Sequence, residues 1–239
     1  MGKKNKLQRF AENLTFDNLF QYSYEEVIKG FPYRGKWNQF FGNNNKIVLE
    51  LACGKGEYTV GLARKYPNAN FIGVDIKGAR MWRGLKTAQE EGLKNVAFIR
   101  TRINLIEYFF AQNEVDEIWI TFPDPQVKES REKKRLTSPQ FLKLYTNFLK
   151  PEGIIHLKTD GILLYDYTRE VIEEGGHMLL YANEDIYGSD LKNEVTGIQT
   201  FYEKKWLSYQ TKIRYLKFQL NPELFSANMP EDGKQKRFF

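Results

Sequence analysis

Cysteine, histidine and long apolar runs are scarce in this sequence of 239 residues. The single cysteine, Cys53, excludes an internal disulfide framework, and one cysteine with two distant histidines offers no cluster of metal ligands. No apolar run approaches the roughly 20 residues that span a membrane. The N-terminal stretch MGKKNKLQRF also lacks the apolar core of a signal peptide. We therefore expect a cytoplasmic protein that has neither a membrane segment nor a metal site.

Positive charge is in surplus, with a formal net charge of +6 at pH 7. Such a surplus is expected of a protein that binds nucleic acid, although many soluble proteins carry it without such a partner. The length suits one medium-sized domain with a single large core, or two small domains. Charge and length alone leave the function open.

Short apolar runs alternate with helix-compatible stretches after residue 46. The apolar runs are 47–54, 70–76, 95–101, 117–122 and 153–160, and the helical stretches include 57–66, 79–91, 138–149 and 162–174. This alternation indicates βαβ units and a mostly parallel sheet. Two later runs, HMLLYANED and KIRYLKFQL, are typical of strands and are expected to add antiparallel pairing.

The chain shows no repeats, low-complexity tracts or linker-like segments, which favours one main domain. We predict that residues 1–45 form a basic and aromatic arm with a short helix. The α/β domain is expected at 46–220, followed by a C-terminal tail at 221–239.

A glycine loop, CGKGEY, lies where the first predicted strand meets the first helix. Gly54 and Gly56 allow a ligand to approach the backbone closely, at the strand end where open α/β sheets bind ligands. The third glycine of a dinucleotide fingerprint is absent, because Thr59 occupies its position. Asp75, which ends the next strand, is placed to accept hydrogen bonds from a ribose, and Glu50 can meet a ligand ammonium group. The alternative is a plain tight turn, with Asp75 capping a helix.

A second candidate site is the stretch FPDPQVKESREKKRL at 122–136, which follows an apolar strand. Its prolines restrict the backbone around Asp124, so that the carboxylate is held in place. The basic side chains that follow can bind phosphates. The alternative is a solvated helix face, which the interspersed Glu129 and Glu132 support.

These stretches carry a family resemblance. ELACGKG followed by GVDI resembles the cofactor-binding start of class I methyltransferases, with Ala52 in place of a glycine. FPDP with its basic run, KTD at 158–160 and TFYE at 200–203 together resemble the bacterial tRNA (guanine-N(7)-)-methyltransferases, in order, over about residues 47–218. The departures from that family's pattern are Gln126, Ser130, Arg131, Lys134 and Arg102, the last with Asn104 two residues further on.

The resemblance implies a Rossmann-like α/β fold with a seven-stranded, mostly parallel sheet and helices on both faces. It implies methyl transfer from S-adenosyl-L-methionine to nitrogen 7 of guanine in the variable loop of tRNA. Asp124 is the expected catalytic residue. Cofactor contacts are expected from Glu50, Gly54, Gly56, Asp75 and Asp124, substrate contacts from Lys128, Asp160, Thr200 and Glu203, and RNA contacts from Arg131, Lys133, Lys134 and Arg135.

Other functions remain open at the level of sequence. The same fold can methylate another RNA or a small molecule, and a non-catalytic RNA-binding protein can retain such a loop. An NAD-dependent oxidoreductase is disfavoured by Thr59. Both a monomer and a homodimer are compatible with the sequence.

Overall fold

The alternating pattern folds into one eight-stranded sheet in a computed structural model, whose described residues are 5–191 and 194–226. The strand order is β1-β4-β3-β2-β5-β6-β8-β7. The pairs from β1 to β6 are parallel, whereas β8 is antiparallel to both β6 and β7. The strands are β1 (Leu19–Gln21), β2 (Ile47–Leu51), β3 (Asn70–Asp75), β4 (Val96–Arg100), β5 (Val115–Thr121), β6 (Leu149–Thr159), β7 (Met178–Asn183) and β8 (Arg214–Gln219).

Helices cover both faces of this sheet. The α-helices are α1 (Lys6–Asn13), α2 (Tyr24–Val27), α3 (Trp37–Phe41), α4 (Glu57–Lys65), α5 (Gly78–Glu90), α6 (Pro139–Tyr145), α7 (Ile162–Glu174), α8 (Glu194–Gly197), α9 (Phe201–Ser208) and α10 (Glu223–Ser226). Two 3₁₀ helices span Ile103–Tyr108 and Glu129–Lys134.

Two cores form because successive strand residues point to opposite faces. In β2, Leu49 and Leu51 belong to the core that includes residues of α6 and α7. Val48 belongs to the other core, which α4 and α5 cover. All five residues of β2 are buried, as expected for a central parallel strand. The mostly parallel α/β sheet predicted from the alternation and the Rossmann-like fold implied by the resemblance are both confirmed.

The number of strands is one greater than the seven predicted. The additional strand, β1, pairs in parallel with β4 at the edge of the sheet. It has only three residues, which is too short for an alternating pattern to reveal. Phe20 stabilises it from the centre of an aromatic cluster, with its ring centroid 5.3 Å from those of Phe31 and Trp37 and 5.1 Å from that of Phe40.

The segment predicted as an N-terminal arm is packed into the fold over its described part. Trp37 is fully buried, and its indole Nε1 donates a hydrogen bond to the carbonyl of Phe109 at 3.0 Å. Residues 1–4 of the arm and 227–239 of the predicted tail lie outside the described residues. The boundaries at 46 and 220 therefore stay predictions.

Neither a metal cluster nor a membrane helix is found in the described part of the chain. No three His, Cys, Asp or Glu side chains there form a group suited to a metal ion. No helix there combines the length and the apolar character needed to cross a membrane. His156 is buried in a structural network, because its Nδ1 lies 2.6 Å from the Tyr215 hydroxyl and its Nε2 lies 3.2 Å from Glu117.

We predict that Trp37→Ala lowers the free energy of unfolding by about 3–5 kcal/mol, because it removes a fully buried indole from the core. Urea denaturation followed by circular dichroism measures this loss. Tyr209→Ala is the control, since that ring is 65% exposed, and its effect should stay within about 0.5 kcal/mol. Equal effects of the two substitutions would show that the N-terminal segment does not stabilise the fold.

Candidate active site

The candidate site lies along the edge where the parallel strands end. The glycine loop follows β2, Asp75 ends β3, Asp124 follows β5, and Asp160 follows β6. The strand order reverses at β2, because β3 and β4 follow on one side of it and β5 and β6 on the other. Such a switch point is where open α/β sheets bind ligands. The fold therefore brings the predicted acidic residues to one edge.

The glycine loop turns through left-handed backbone. Ala52 has φ +59° and Gly54 has φ +58°, a conformation that costs a non-glycine residue energy. A Cβ added at Gly54 would meet no atom closer than 4.0 Å, so this part of the loop faces open space. Asp75 fixes the loop, since one carboxylate oxygen accepts a hydrogen bond from the Gly54 amide at 2.9 Å and the other accepts one from the Lys77 amide at 2.8 Å.

Gly56 and Cys53 have packing roles in the same loop. A Cβ at Gly56 would lie 2.5 Å from the Phe98 ring and 3.4 Å from Gly84 Cα, so only glycine fits between the loop and α5. Cys53 is buried, and burial raises the pKa of its thiol. The thiol therefore stays protonated and is a poor nucleophile.

Glu50 is buried directly beneath the loop. Its carboxylate accepts hydrogen bonds from the Thr59 amide at 2.8 Å, from the Thr59 hydroxyl, and from the Thr121 hydroxyl at 2.6 Å. Burial raises its pKa to about 7, although these hydrogen bonds oppose the shift. Glu50 thus ties the strand end to α4 and to β5, and its contact with a ligand stays a prediction.

A cavity of about 730 Å³ opens at Ile76, the residue that follows Asp75. Ile76, Thr101 and Asn104 line it on the side of β3 and β4, and Tyr22 and Tyr24 line it on the side of the N-terminal segment. Its volume lies in the range of about 300–1,000 Å³ that is typical of small-ligand sites. Sequence reasoning missed the two tyrosines, because nothing in the sequence connects β1 with this edge.

The loop that carries Asp124 is strained at both ends. Phe122 has φ +49° and Gln126 has φ +47°, and such backbone costs about 1–3 kcal/mol per residue and is concentrated at functional sites. Asp124 is exposed, and its Oδ1 accepts a hydrogen bond from the Gln126 amide at 3.0 Å. The carboxylate is therefore oriented by its own loop and faces solvent.

The basic run after Asp124 divides into two parts. Four of its cations are exposed: Lys128, Arg131, Lys133 and Lys134. Arg135 is only 6% exposed, and it donates hydrogen bonds to the carbonyls of Pro125 and Gln126, both at 3.3 Å. Its guanidinium also lies 4.2 Å from the centre of the Tyr167 ring. Arg135 therefore holds the Asp124 loop, and its contact with RNA stays a prediction.

Asp160 lies next to the Asp124 loop. The Phe122 amide donates to the Lys158 carbonyl at 2.8 Å, which joins the ends of β5 and β6. A Cβ at Gly161 would lie 3.9 Å from Pro125 Cβ, so the two loops are in contact. Burial raises the pKa of the Asp160 carboxyl.

Lys158 and Glu203 form an ion pair whose side chains are both 0% exposed, with Nζ 2.6 Å from Oε1. Lys158 also donates to the carbonyls of Val195 and, at 3.3 Å, Ile198. Glu203 accepts a hydrogen bond from the Tyr187 hydroxyl at 2.7 Å. The pair therefore fixes residues 195–203 against the sheet.

Thr200 begins α9 as its N-cap. Its hydroxyl accepts a hydrogen bond from the Glu203 amide at 3.2 Å, and the Glu203 carboxylate accepts one from the Thr200 amide at 3.3 Å. The sequence predicted that both residues bind substrate, but in the structure both are turned inward: Thr200 is 7% exposed and Glu203 is fully buried. Direct contacts of either residue with a substrate stay predictions.

Comparison with known proteins identifies relatives along most of the chain. A family model described as "Putative methyltransferase" matches residues 44–216. A tRNA (guanine-N(7)-)-methyltransferase of Christiangramia forsetii is 59% identical over 92% of this chain and 100% of that protein. The proteins with that name from Bacteroides thetaiotaomicron and Cytophaga hutchinsonii are 51% and 44% identical, over 93% and 92% of this chain and 88% and 99% of their own lengths.

Solved structures share the fold at much lower identity. The 16S rRNA methyltransferase KamB is 16% identical with a TM-score of 0.61, covering 79% of this chain and 94% of its own. A 16S rRNA (adenine(1408)-N(1))-methyltransferase from Catenulisporales acidiphilia is 12% identical with a TM-score of 0.55, covering 78% of this chain and 92% of its own. At such identities the likeness shows the fold alone.

Glu50 should make stability depend on pH. A carboxyl with a pKa near 4.5 when unfolded and about 7 when folded holds an extra proton in the folded state between these values. The free energy of unfolding should therefore fall as the pH rises from about 4.5 to 7, by up to about 3 kcal/mol, and level off above pH 7. Urea denaturation at several pH values, with Glu50→Gln as the reference, isolates this loss. Parallel curves for the two proteins would contradict it.

The Lys158–Glu203 pair should show strong coupling. Lys158→Met leaves a buried carboxylate without its partner and should cost about 3–5 kcal/mol of stability, whereas adding Glu203→Gln should recover part of that loss. Chemical denaturation of the two single variants and the double variant gives the coupling energy. Lys46→Met is the control, because that lysine is 52% exposed in its pair with Glu117 and should cost less than about 1 kcal/mol. Additive costs at positions 158 and 203 would refute the coupling.

Proposed function

The chain belongs to the tRNA (guanine-N(7)-)-methyltransferase family, and we propose that it transfers a methyl group from S-adenosyl-L-methionine to nitrogen 7 of a guanine in tRNA. The observation that carries this proposal is the arrangement at the strand ends. An exposed, oriented Asp124 lies on a strained loop that contacts the loop after Asp160. By family resemblance, the target guanine is in the variable loop.

The residues around the glycine loop suit this cofactor. Each carboxylate oxygen of Asp75 keeps acceptor capacity after its backbone hydrogen bond, and can accept a ribose hydroxyl. The open face at Gly54 admits a ligand close to the backbone, and the 730 Å³ cavity at Ile76 has room for a nucleobase. Glu50, when ionised, supplies negative charge for an ammonium group. When bound, the cofactor supplies an activated, electrophilic methyl group.

Methylation of guanine nitrogen 7 requires the protein mainly to position the base and the methyl donor. Nitrogen 7 of guanine has a lone pair and no proton, so a strong base is not needed before attack. Holding the base in line for attack can contribute roughly 7–11 kcal/mol. We assign this work to Asp124 and Asp160, whose carboxylates can accept hydrogen bonds from the ring and exocyclic nitrogens of guanine. Adenine lacks that pair of donors and is rejected.

The exposed cations beside the site are suited to the RNA backbone. A guanine must leave its stack to reach the strand ends, which costs a few kcal/mol. Phosphate contacts from Lys128, Arg131, Lys133 and Lys134 offset this cost. Arg135 and Glu203 have different roles in the proposal, because both are buried: Arg135 positions the Asp124 loop, and Glu203 positions Thr200.

We predict that Asp124→Asn lowers kcat/KM for methyl transfer by about 10²-fold or more, because it changes the group that orients the base. The assay uses labelled S-adenosyl-L-methionine and unmodified tRNA transcripts, with the modified base mapped. Glu129→Gln is the matched control: it makes the same change at an exposed acid in the following 3₁₀ helix and should keep nearly full activity.

Label at guanine nitrogen 7 that disappears in Asp124→Asn supports both the reaction and the role of the carboxylate. Label at another base or another RNA would show that the proposed substrate is wrong, although methyl transfer itself would be supported. A protein that binds tRNA but transfers no methyl group would favour a non-catalytic RNA-binding role.

A further inference from the structure

A second cavity, of about 750 Å³, lies on the sheet face that is covered by α4 and α5. Its walls are those two helices and the segment 196–204, which includes the start of α9. Lys55 and Gly56 of the glycine loop form one end, and Arg64, Lys65 and Glu91 lie toward the other end of α4. We call this cavity the basic groove.

The groove is built by specific packing of the segment 196–204 on α4. A Cβ added at Gly61 would lie 2.6 Å from the Ile198 side chain, so the segment lies directly against the helix. The Phe201 amide donates to the Glu57 carboxylate at 2.9 Å. Lys55 Nζ lies 3.7 Å from the centre of the Phe201 ring. The wall is thus fixed to the same loop that begins the candidate active site.

Positive charge in the groove exceeds what its own acids neutralise. Five cationic side chains and two carboxylates line it: Lys55, Arg64, Lys65, Arg83, Lys204, Glu57 and Glu91. Both acids are engaged, since Glu91 accepts two hydrogen bonds from Arg64 at 2.5 Å and Glu57 binds the Phe201 amide. Within the described residues, Arg83 and Lys204 are exposed and have no carboxylate partner within 4.0 Å. The groove therefore presents cations that are available to an external anion.

We propose that the basic groove binds phosphates of the substrate RNA, at a distance from the target base. This inference rests on the proposed function, and it adds a backbone contact on the face opposite the exposed cations of 128–134. The groove adjoins the active site through Lys55 and through Gln199, which precedes Thr200.

Polyanionic backbone fits the groove better than a compact metabolite. Its cations are spread along α4, α5 and the start of α9, and are not gathered on one point. Exposed Lys and Arg side chains on flexible stems neutralise successive phosphates and release counterions, so that binding weakens with salt. The groove thus contributes affinity without reading bases.

The test is the double variant Arg83→Glu/Lys204→Glu in the full chain. We expect binding of an unmodified tRNA transcript to weaken by about tenfold or more. The slope of log K against log salt should become shallower by roughly one for each phosphate that the variant no longer neutralises. KM for tRNA should rise, whereas kcat at saturating tRNA and the Kd for S-adenosyl-L-methionine should stay unchanged.

Lys36→Glu/Lys46→Glu is the matched control. It makes the same change in net charge at two exposed lysines near the edge where the parallel strands begin, because Lys46 precedes β2 and the Gly35 amide beside Lys36 bonds Glu114, which precedes β5. It should alter affinity and salt slope far less. Equal effects in both double variants would refute RNA binding by the groove, because they would show that net charge alone is responsible. Unchanged tRNA affinity in Arg83→Glu/Lys204→Glu would also refute RNA binding by the groove, but it would leave the proposed methyl transfer unaffected. If neither wild type nor variants methylate tRNA but binding still shifts, the proposed reaction fails and the groove is retained.

Discussion

The buried ion pair between Lys158 and Glu203 is the constraint on which the active-site edge depends. A charge with no exposed surface is strongly destabilising unless it is paired and hydrogen-bonded. Lys158 meets that demand with the Glu203 carboxylate and two backbone carbonyls, so residues 195–203 have to return to the sheet at this point. The start of α9 and the wall of the basic groove are placed by the same contacts. One lysine near the end of β6 thus links Asp160 with Thr200.

The two loops at the site are held in strained conformations by polar contacts from outside each turn. Asp75 bonds the Gly54 amide beside left-handed Ala52, and Arg135 bonds the carbonyls of Pro125 and Gln126. In both cases a charged side chain forms hydrogen bonds with the backbone and so fixes the conformation of the turn. Such preorganisation matters for a reaction that needs positioning more than acid or base chemistry.

Periodicity predicts the interior of the fold well and its edges poorly. The helix at 162–174 and the strand beginning at residue 70 are evident because their apolar residues recur with the period of each element over several turns or pairs. The three-residue strand β1 has no period to detect, and its stability comes from aromatic partners distant in sequence. The late strands are predictable, but not the position of β8 between β6 and β7.

The edge at which the candidate residues lie can be predicted from the sequence, but the orientation of their side chains cannot. Spacing and resemblance place Asp75, Asp124 and Asp160 at strand ends, and the structure brings them to one edge because parallel strands end on the same side. The same reasoning expects Arg135 to contact RNA and Glu203 to contact the substrate, since a sequence shows charge and not burial. Their inward orientation requires partners from elsewhere in the chain, Pro125 and Lys158, which only the tertiary structure supplies.

The exposed cations lie on two sides of the candidate active site. The exposed cations of 128–134 precede Leu136, which packs into the core on the side of α6 and α7, whereas the basic groove lies on the side of α4 and α5. The strand ends lie between them. A flipped guanine at Asp124 would then have cations on both sides of its backbone, which suits a folded RNA better than a free nucleotide.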